Sequence, residues 1–537
     1  MKTLHLSDTT EDIRLAADIL RDGGLVAMPT ETVYGLAANA LNGAAVRRIF
    51  EAKGRPMDNP LILHVARFED IERLRLVSHI PEKARLLAEA FWPGPLTVIM
   101  PKGEVIPDEV SAGLDTVAIR IPSHPAAREL MLSSGLALAA PSANTSGKPS
   151  PTSARHVADD MDGRIEAIVD GGACSVGVES TVLTLVAETP RILRPGIITR
   201  EQIEAVIGSI EVDSAVLNQL ENNEKASSPG MKYKHYAPKT RVVLLRGDDQ
   251  KYISYVNRAF AHGMSVAALC YDEDKRGIKA PCVSMGAMND EKAQAQELFD
   301  ALRAVDDLGV DTVYAHCPRA EGVGMALYNR LIRAAAFRVI DLPSKRIVGL
   351  TGQTGAGKSE VARLLEQKGL PVVSADKAAR LAVEDEEVRR ALCEAFGNVL
   401  LPDGSLDRRR TAAIAFSTPE NTAKLNAITH PKIIQIMLDE AERAEGGTVV
   451  FDASQLFESG EDMICDEIIS VVSDRDTRIK RLMERDGIDR AEIERRISVQ
   501  HSEEFFKARS DDIIVNDGTP EELAEAVDKL YERPVVR

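Results

Sequence analysis

Gly352-Gln353-Thr354-Gly355-Ala356-Gly357-Lys358-Ser359 decides how the carboxyl-terminal part of this chain is read. The stretch fits G-x-x-x-x-G-K-[ST]. An apolar run, Arg346-Ile347-Val348-Gly349-Leu350, precedes it, and apolar residues at helical spacing, Val361-Ala362-Arg363-Leu364-Leu365, follow. A glycine-rich turn between strand and helix can wrap its amide N–H groups around a polyphosphate. Gly352, Gly355, Ala356 and Gly357 would form that cradle, Lys358 would reach the β/γ oxygens, and Ser359 could hold Mg²⁺. A chance glycine turn is the competing reading, and strand, loop and helix in this order disfavour it. Such a loop opens its domain, so a nucleotide-dependent unit starts near Lys345. Everything ahead of it needs another explanation.

At 537 residues the chain has room for several domains, each with its own core. Hydrophobic residues at 44% and charged residues at 28% are ordinary for globular proteins. Aromatics at 4%, with one Trp, argue against a base-stacking single-strand binder. A net charge of −17 argues against broad binding to nucleic acid or anionic membranes. The six cysteines form no C-x-x-C pair, which suits a reducing compartment and gives no zinc signature. The amino terminus leads into an acidic amphipathic segment, and no apolar run approaches bilayer length. A cytoplasmic protein without a membrane partner is the expectation.

Residues 10 to 205 alternate strand-like runs with helical patterns. Leu25–Met28, Leu61–Val65, Leu96–Met100, Val117–Ile121, Ala137–Ala140 and Ser180–Leu183 read as strands, and Ala44–Glu51 and Pro81–Ala90 as helices. The pattern predicts an α/β domain over 1–210 with one extensive sheet. A linker over 211–240 ends in Met231-Lys232-Tyr233-Lys234-His235-Tyr236-Ala237-Pro238. A small Rossmann-like α/β unit is expected over 241–343, and a domain with a parallel sheet around the phosphate loop over 344–537. The fold class is thus α/β throughout.

Three clusters in the first domain carry more side-chain chemistry than a core needs. They are Pro29-Thr30-Glu31-Thr32-Val33-Tyr34-Gly35-Leu36, Lys53-Gly54-Arg55-Pro56-Met57-Asp58-Asn59-Pro60, and Ala140-Pro141-Ser142-Ala143-Asn144-Thr145-Ser146-Gly147. Polar groups gathered where strands of an open α/β sheet end are where ligands usually sit. Each cluster also has a plain reading as a capped turn or a solvated loop.

Together with Trp92-Pro93-Gly94-Pro95-Leu96-Thr97, Arg120-Ile121-Pro122-Ser123-His124-Pro125, Glu179-Ser180-Thr181-Val182 and Arg194-Pro195-Gly196, these clusters closely resemble the YrdC-type threonylcarbamoyl-AMP synthases. The tether and the unit behind it, with Asn329-Arg330-Leu331-Ile332-Arg333, resemble the long form of that family. The resemblance implies condensation of L-threonine, bicarbonate and ATP, with release of pyrophosphate, for later modification of tRNA by downstream transfer machinery. It places Thr32, His64, Arg120, Ser142 and Ser180 on threonine. It places Arg55, Asn59, Thr116, Asn144, Ser150, Thr152, Arg194, His235 and Tyr236 on the nucleotide. Both reacting partners are anionic, so Lys53 and Arg55 suit the role of catalytic cations. A lone His in an apolar strand is more often a core residue than a ligand, and for His64 it is the preceding Lys-Gly-Arg-Pro that favours function. A tethered Tyr233, His235 or Tyr236 folded over the pocket would exclude water from a fragile intermediate. A passive linker is the alternative.

Past the phosphate loop, Val372-Val373-Ser374-Ala375-Asp376 sets a carboxylate, Asp376, at the end of a strand, where a general base would face an attacking hydroxyl. Thr429-His430-Pro431 and Phe451-Asp452-Ala453-Ser454-Gln455-Leu456-Phe457-Glu458-Ser459-Gly460 follow, then a helix expected over Arg475 to Arg496. Its Arg478, Arg481 and Arg485 form one basic face, either a solvated face or a lid closing on phosphates. This set resembles dephospho-CoA kinase, which implies transfer of phosphate from MgATP to the ribose 3′-hydroxyl of dephospho-CoA. ATP would then contact Glu360, Arg481 and Arg485 besides the loop. Ser374, Glu360 and Ser454-Gln455 depart from that family's usual residues. No tightly bound cofactor is expected beyond Mg²⁺ carried with ATP. Two readings compete with a pair of joined enzymes: an RNA-binding amino-terminal module, and a nucleotide-sensing kinase domain without turnover.

Overall fold

The computed structural model describes residues 2–216 and 236–532. Contacts divide the chain into two compact units: Met1–Arg246 with Phe260–Ile340, and Gly247–Ala259 with Asp341–Arg537.

The first unit holds an eleven-stranded mixed sheet. Its strands are β1 (Leu4–Ser7), β2 (Val26–Met28), β3 (Gly35–Asn39), β4 (Ile62–His64), β5 (Leu96–Pro101), β6 (Thr116–Arg120), β7 (Leu138–Ala139), β8 (Ala167–Asp170), β9 (Thr181–Thr184), β10 (Arg191–Arg194) and β11 (Glu211–Val212). They lie side by side in the order β1-β8-β2-β3-β7-β4-β6-β5-β9-β10-β11. Both faces are covered, so the strands read as continuous apolar runs. Leu25 and Ala27 enter one core with Leu36 and Leu63, while Val26 and Met28 enter another with Ile13 and Leu130. The strands expected at Leu25–Met28, Leu61–Val65, Leu96–Met100 and Val117–Ile121 are β2, β4, β5 and β6. The amino terminus is not simply a helical segment: β1 precedes the helix Thr10–Arg21 and pairs in parallel with β8.

A second, five-stranded sheet comprises β12 (Arg241–Arg246), β13 (Val266–Cys270), β14 (Cys282–Ser284), β15 (Thr312–His316) and β16 (Val339–Asp341), in the order β14-β13-β15-β12-β16. The helices Glu291–Ala304 and Gly324–Ala334 supply Leu298, Phe299, Leu302, Leu327 and Leu331 to its core, which also takes in Val33, Val178 and Tyr236. Tyr233 and His235 lie outside the described residues.

In the second unit, β17 (Arg346–Gly352), β18 (Val372–Ser374), β19 (Thr448–Asp452), β20 (Glu467–Val472) and β21 (Asp512–Val515) form a parallel sheet in the order β18-β19-β17-β20-β21. The glycine-rich loop leaves the central strand and starts the helix Lys358–Gln367. Gly352 has φ +153°, and a Cβ there would stand 2.3 Å from the Val471 carbonyl oxygen. Gly357 has φ +100°, and its Cβ would meet the Asn516 amide at 2.3 Å. Both positions therefore require glycine.

Two expectations need correction here. The single helix expected over Arg475 to Arg496 is two, Arg475–Asp486 and Arg490–Ser498. Gly487, at φ +67°, ends the first, and Asp489 caps the second by accepting from the Glu492 amide. Asp376 does not end a strand: β18 stops at Ser374, and Asp376 lies in the first turn of the helix Ala375–Ala382.

Candidate active sites

The sheet of the first unit delivers its polar residues to one cleft. β4 and β6 run parallel with His64 and Arg120 in register, so both side chains emerge together at the strand ends. β5 places Thr97 beside Arg120, and Ser180 stands just ahead of β9. The cleft has about 500 Å³ of empty space counted to its mouth, and Thr32, Arg55, His64, Arg120, Ser142, Ser180, Arg194 and Tyr236 line it. All five residues expected on threonine are among them.

Positive charge crowds this cleft. Arg194 donates to the Ser180 carbonyl from Nε (3.1 Å) and to Ser180 Oγ from Nη2 (3.2 Å). Ser180 Oγ is also 2.7 Å from Thr97 Oγ1. Arg120 Nη2 stands 2.8 Å from Glu31 Oε1, inside the protein, in a geometry that is not a hydrogen bond and leaves Arg120 Nε unpartnered as well. Among the described residues Arg55 reaches only the carbonyls of Asn59 and Pro60, each at 3.4 Å, and its Nε has no partner. Burial first, and neighbouring cations such as Arg194 among the other charges, bring the Arg55 pKa down to about 10. Arg194 is lowered too, chiefly by burial. His64 is brought down to about 3 by burial and then by Arg120, so the imidazole is neutral, and its Nδ1 has no hydrogen-bond partner among the described residues.

Lys53 sits behind the cleft wall. Its ammonium donates to the carbonyls of Ser142 and Asn144 and lies 3.4 Å from Asn144 Oδ1. Burial, then Arg55, depresses its pKa well below the usual lysine value. Asn144 Oδ1 accepts from Ser142 Oγ (2.6 Å), while Nδ2 donates to the carbonyls of Thr145 and Lys148. Lys53 and Asn144 thereby fix the loop that presents Ser142. Ser150 Oγ donates to Glu179 Oε1 (2.6 Å), and Thr152 Oγ1 donates to Asp300. Asn59 is buried with its Oδ1 unpartnered. Thr116 opens β6 at a separate narrow cleft lined by Pro60, Leu61 and Leu114. Tyr236, at φ +62°, is fully buried, packs on Phe299 at 5.3 Å between ring centres and closes one side of the main cleft.

In the second unit Lys358 forms an ion pair with Asp452, at the end of β19. Arg478 Nε donates to the Thr354 carbonyl (3.0 Å), and Arg481 Nη1 donates to the Asn516 carbonyl (2.9 Å). Asn516 Nδ2 in turn donates to the Ala356 carbonyl (2.7 Å), so the loop is held from outside by β21 and the basic helix. Arg485 is spent on Asp486, with Nε to Oδ1 at 2.7 Å. Glu360 pairs with Arg363 on the surface. Ser374 caps its helix by accepting from the Lys377 amide (3.4 Å). Thr429-His430-Pro431 lies inside the long helix Pro419–Arg443. Just past the helix Leu456–Ser459, burial first and then the carboxylates of Asp462 and Asp376 raise Glu461 to about 7.

Family models match almost the whole chain. One described as "Telomere recombination", for the Sua5, YciO and YrdC proteins, covers residues 18–196. Another, "Threonylcarbamoyl-AMP synthase, C-terminal domain", covers 198–336, and "Dephospho-CoA kinase" covers 346–522. The threonylcarbamoyl-AMP synthase of Pyrococcus abyssi is 48% identical over 335 residues, 61% of this chain and 95% of that protein. The dephospho-CoA kinase of Geobacter sulfurreducens is 40% identical over 190 residues, 34% of this chain and 96% of that protein. The chain belongs to both families. Its synthase part also superposes on the crystal structure of P. abyssi Sua5 complexed with L-threonine, with a TM-score of 0.59 and 45% identity, covering 64% of this chain and 100% of that one.

Some residues that build these two enzyme sites were not singled out from the sequence. Glu31 faces Arg120, Glu179 accepts from Ser150 and Arg330, and Asp452 holds Lys358. A carboxylate beside a strand end was visible in each case. Its cation was not, because each partner is 89 to 151 residues away in the chain: Glu31 to Arg120 spans 89 residues, Glu179 to Arg330 spans 151, and Asp452 to Lys358 spans 94.

Proposed function

We propose that the chain makes threonylcarbamoyl-AMP with one site and phosphorylates dephospho-CoA with the other. The domains we assign are 1–210 and 241–343 for the synthase, with 211–240 as a tether whose first residues pair with the sheet as β11, and 344–537 for the kinase. The observation that carries the first reading is a buried cleft in which Arg55 and Arg194 form no ion pair among the described residues, beside the neutral His64 and the hydroxyls of Ser142 and Ser180. Such a site favours an anion with a polar, uncharged body.

The threonine amine would add to bicarbonate with loss of water, giving a carbamate. A carbamate oxygen would then attack the α-phosphorus of ATP, forming the mixed anhydride and expelling pyrophosphate. Arg55 and Arg194 would offset repulsion between the two anions in a space where water screens them little. Arg120, already paired with Glu31, would orient the threonine carboxylate, and Ser142, Ser180 and Thr32 its hydroxyl. A neutral His64 accepts or donates one hydrogen bond without adding charge. Lys53 acts through the 142–144 loop, as a positioning residue. Tyr236 excludes water, which both carbamate and adenylate need. The tested quantity is threonine- and bicarbonate-dependent pyrophosphate release: Arg55→Ala should lose it, and retention would place the chemistry elsewhere.

In the kinase, Lys358 would exchange Asp452 for the β/γ oxygens of ATP. The Ser359 hydroxyl, beside Lys358 in the first turn of its helix, would share the Mg²⁺ that ATP carries, and that ion would neutralise phosphate charge. Asp376 would take or orient the ribose 3′-hydroxyl proton. Ser374, the main departure from the family pattern, performs a helix-capping role that Asp also performs. That favours an active kinase over a sensing module. ADP formation that depends on dephospho-CoA is the direct test. We place both reactions in the cytoplasm; among the described residues no helix is long and apolar enough to cross a membrane.

A further inference from the structure

The first unit has a second cleft, about 930 Å³ of empty space counted to its mouth, which neither reaction uses. One wall is aromatic: Phe68 and Trp92, ring centres 6.3 Å apart. The indole N–H is already spent on the Leu96 carbonyl (2.7 Å), so what Trp92 offers a ligand is its ring rather than a polar tip. The other wall brings three guanidiniums, Arg67, Arg85 and Arg128. Arg85 is committed, to Glu72 at 2.8 Å and over the Phe68 ring at 5.6 Å. Arg67 and Arg128 have no ion pair among the described residues, and Arg128 Nε is buried without a hydrogen-bond partner. Glu69 and Glu89 also border the cleft but pair with neither arginine.

We propose that this cleft binds a nucleoside phosphate: the base against Trp92 and Phe68, the phosphate on Arg67 and Arg128. Aromatic faces accept flat rings of any base, while paired guanidiniums select phosphate oxygens. These two arginines stand beside the single tryptophan of a chain with a net charge of −17. The location also gives a ligand something to act on. β4 carries His64 into the synthase cleft, and three residues on Arg67 lines this one; β6 carries Arg120 into the first cleft, and the next residue, Ile121, lines the second. The Val65 amide donates to the Arg120 carbonyl (3.1 Å), tying the two strand ends together. A ligand here therefore bears on the two strands that position His64 and Arg120.

Trp92 is the only tryptophan in the chain, so it reports on its own cleft in the full-length protein. AMP titrated into wild type should quench its fluorescence saturably. The same quench should persist in Arg55→Ala/Lys358→Ala, which weakens nucleotide binding at the two reaction sites. Arg128→Ala should raise the apparent Kd roughly tenfold or more, the scale of one charge-assisted hydrogen bond. Arg67→Ala should do the same, and because Arg67 is exposed this substitution cannot act by unfolding the core. Inorganic phosphate should change the spectrum far less than AMP. Three results would overturn the proposal: no saturable response to AMP, a response that Arg67→Ala and Arg128→Ala leave unchanged, or a response to phosphate equal to that of AMP.

Discussion

Arg330 donates to Glu179 from Nε at 3.0 Å, with the arginine fully buried and the carboxylate in the wall of the synthase cleft. Glu179 accepts from Ser150 with its other oxygen, and Arg330 also reaches the carbonyls of Pro195 and Glu179. The guanidinium carbon lies 5.9 Å from the Tyr236 ring. One arginine from the second sheet's helix thus ties the two synthase sheets, the cleft wall and the end of the tether into one polar network.

Removing that cation takes a charge-assisted hydrogen bond away from a buried carboxylate. Arg330→Ala should destabilise the first unit by about 3–5 kcal/mol. Chemical denaturation followed by Trp92 fluorescence reads this unit in the full chain. An unchanged midpoint would mean that the pair is not a structural anchor.

Tyr236 fills space against Phe299 and closes the cleft. Tyr236→Ala should remove that contact, about 0.5–1.5 kcal/mol beyond the area lost, and admit water. The expected signature is ATP consumption that no longer matches threonylcarbamoyl-AMP formed, measured as pyrophosphate against adenylate product. Tight coupling in the variant would show that the lid lies elsewhere in the tether.

His64 has a folded pKa of about 3 against an ordinary value of 6.5. Below 6.5 the unfolded chain takes up a proton that the folded site refuses. The site's full stability is therefore present above about 6.5 and falls as pH drops towards about 3, by at most about 1.4 kcal/mol per pH unit. His64→Gln should flatten that slope in denaturation experiments between pH 4 and 6.5, again followed at Trp92. An equal slope in both proteins would mean that His64 titrates normally.

The path from sequence to site was uneven for physical reasons. β4, β5 and β6 are buried on both faces, and their apolar runs are plain in the sequence. β7, Leu138–Ala139, falls inside the strand expected at Ala137–Ala140, whereas the two residues of β11 are too few for any periodicity. The break at Gly487 hides inside a charged run whose helical spacing resumes after it. At the synthase site, Thr32, His64, Arg120, Ser142 and Ser180 came from family resemblance, and local pattern alone left each as a capped turn or a core residue. Lys53 shows the limit of residue type. A cation beside Arg55 reads as chemistry, and only the fold reveals that its donors are spent on the Ser142 and Asn144 carbonyls.

In the kinase, loss of Lys358 and loss of Asp376 should differ in kind. Lys358→Ala should weaken ATP binding and turnover together, and would leave Asp452 without its cation. Asp376→Asn should leave ATP binding nearly intact and lower turnover by roughly a hundred- to ten-thousandfold. Ser374→Asp should change turnover little, because either side chain caps the helix, whereas Ser374→Ala should cost about 1 kcal/mol of stability. Wild-type turnover in Asp376→Asn would remove it from the mechanism.

The central claim is two separate reactions on one chain, and the fate of ATP tests it most directly. Full-length protein with ATP should release pyrophosphate when threonine and bicarbonate are added, and ADP when dephospho-CoA is added. Arg55→Ala should abolish only the first product and Lys358→Ala only the second. A wild-type protein that binds ATP yet yields neither product with its co-substrates, or a single substitution that abolishes both, would contradict the account.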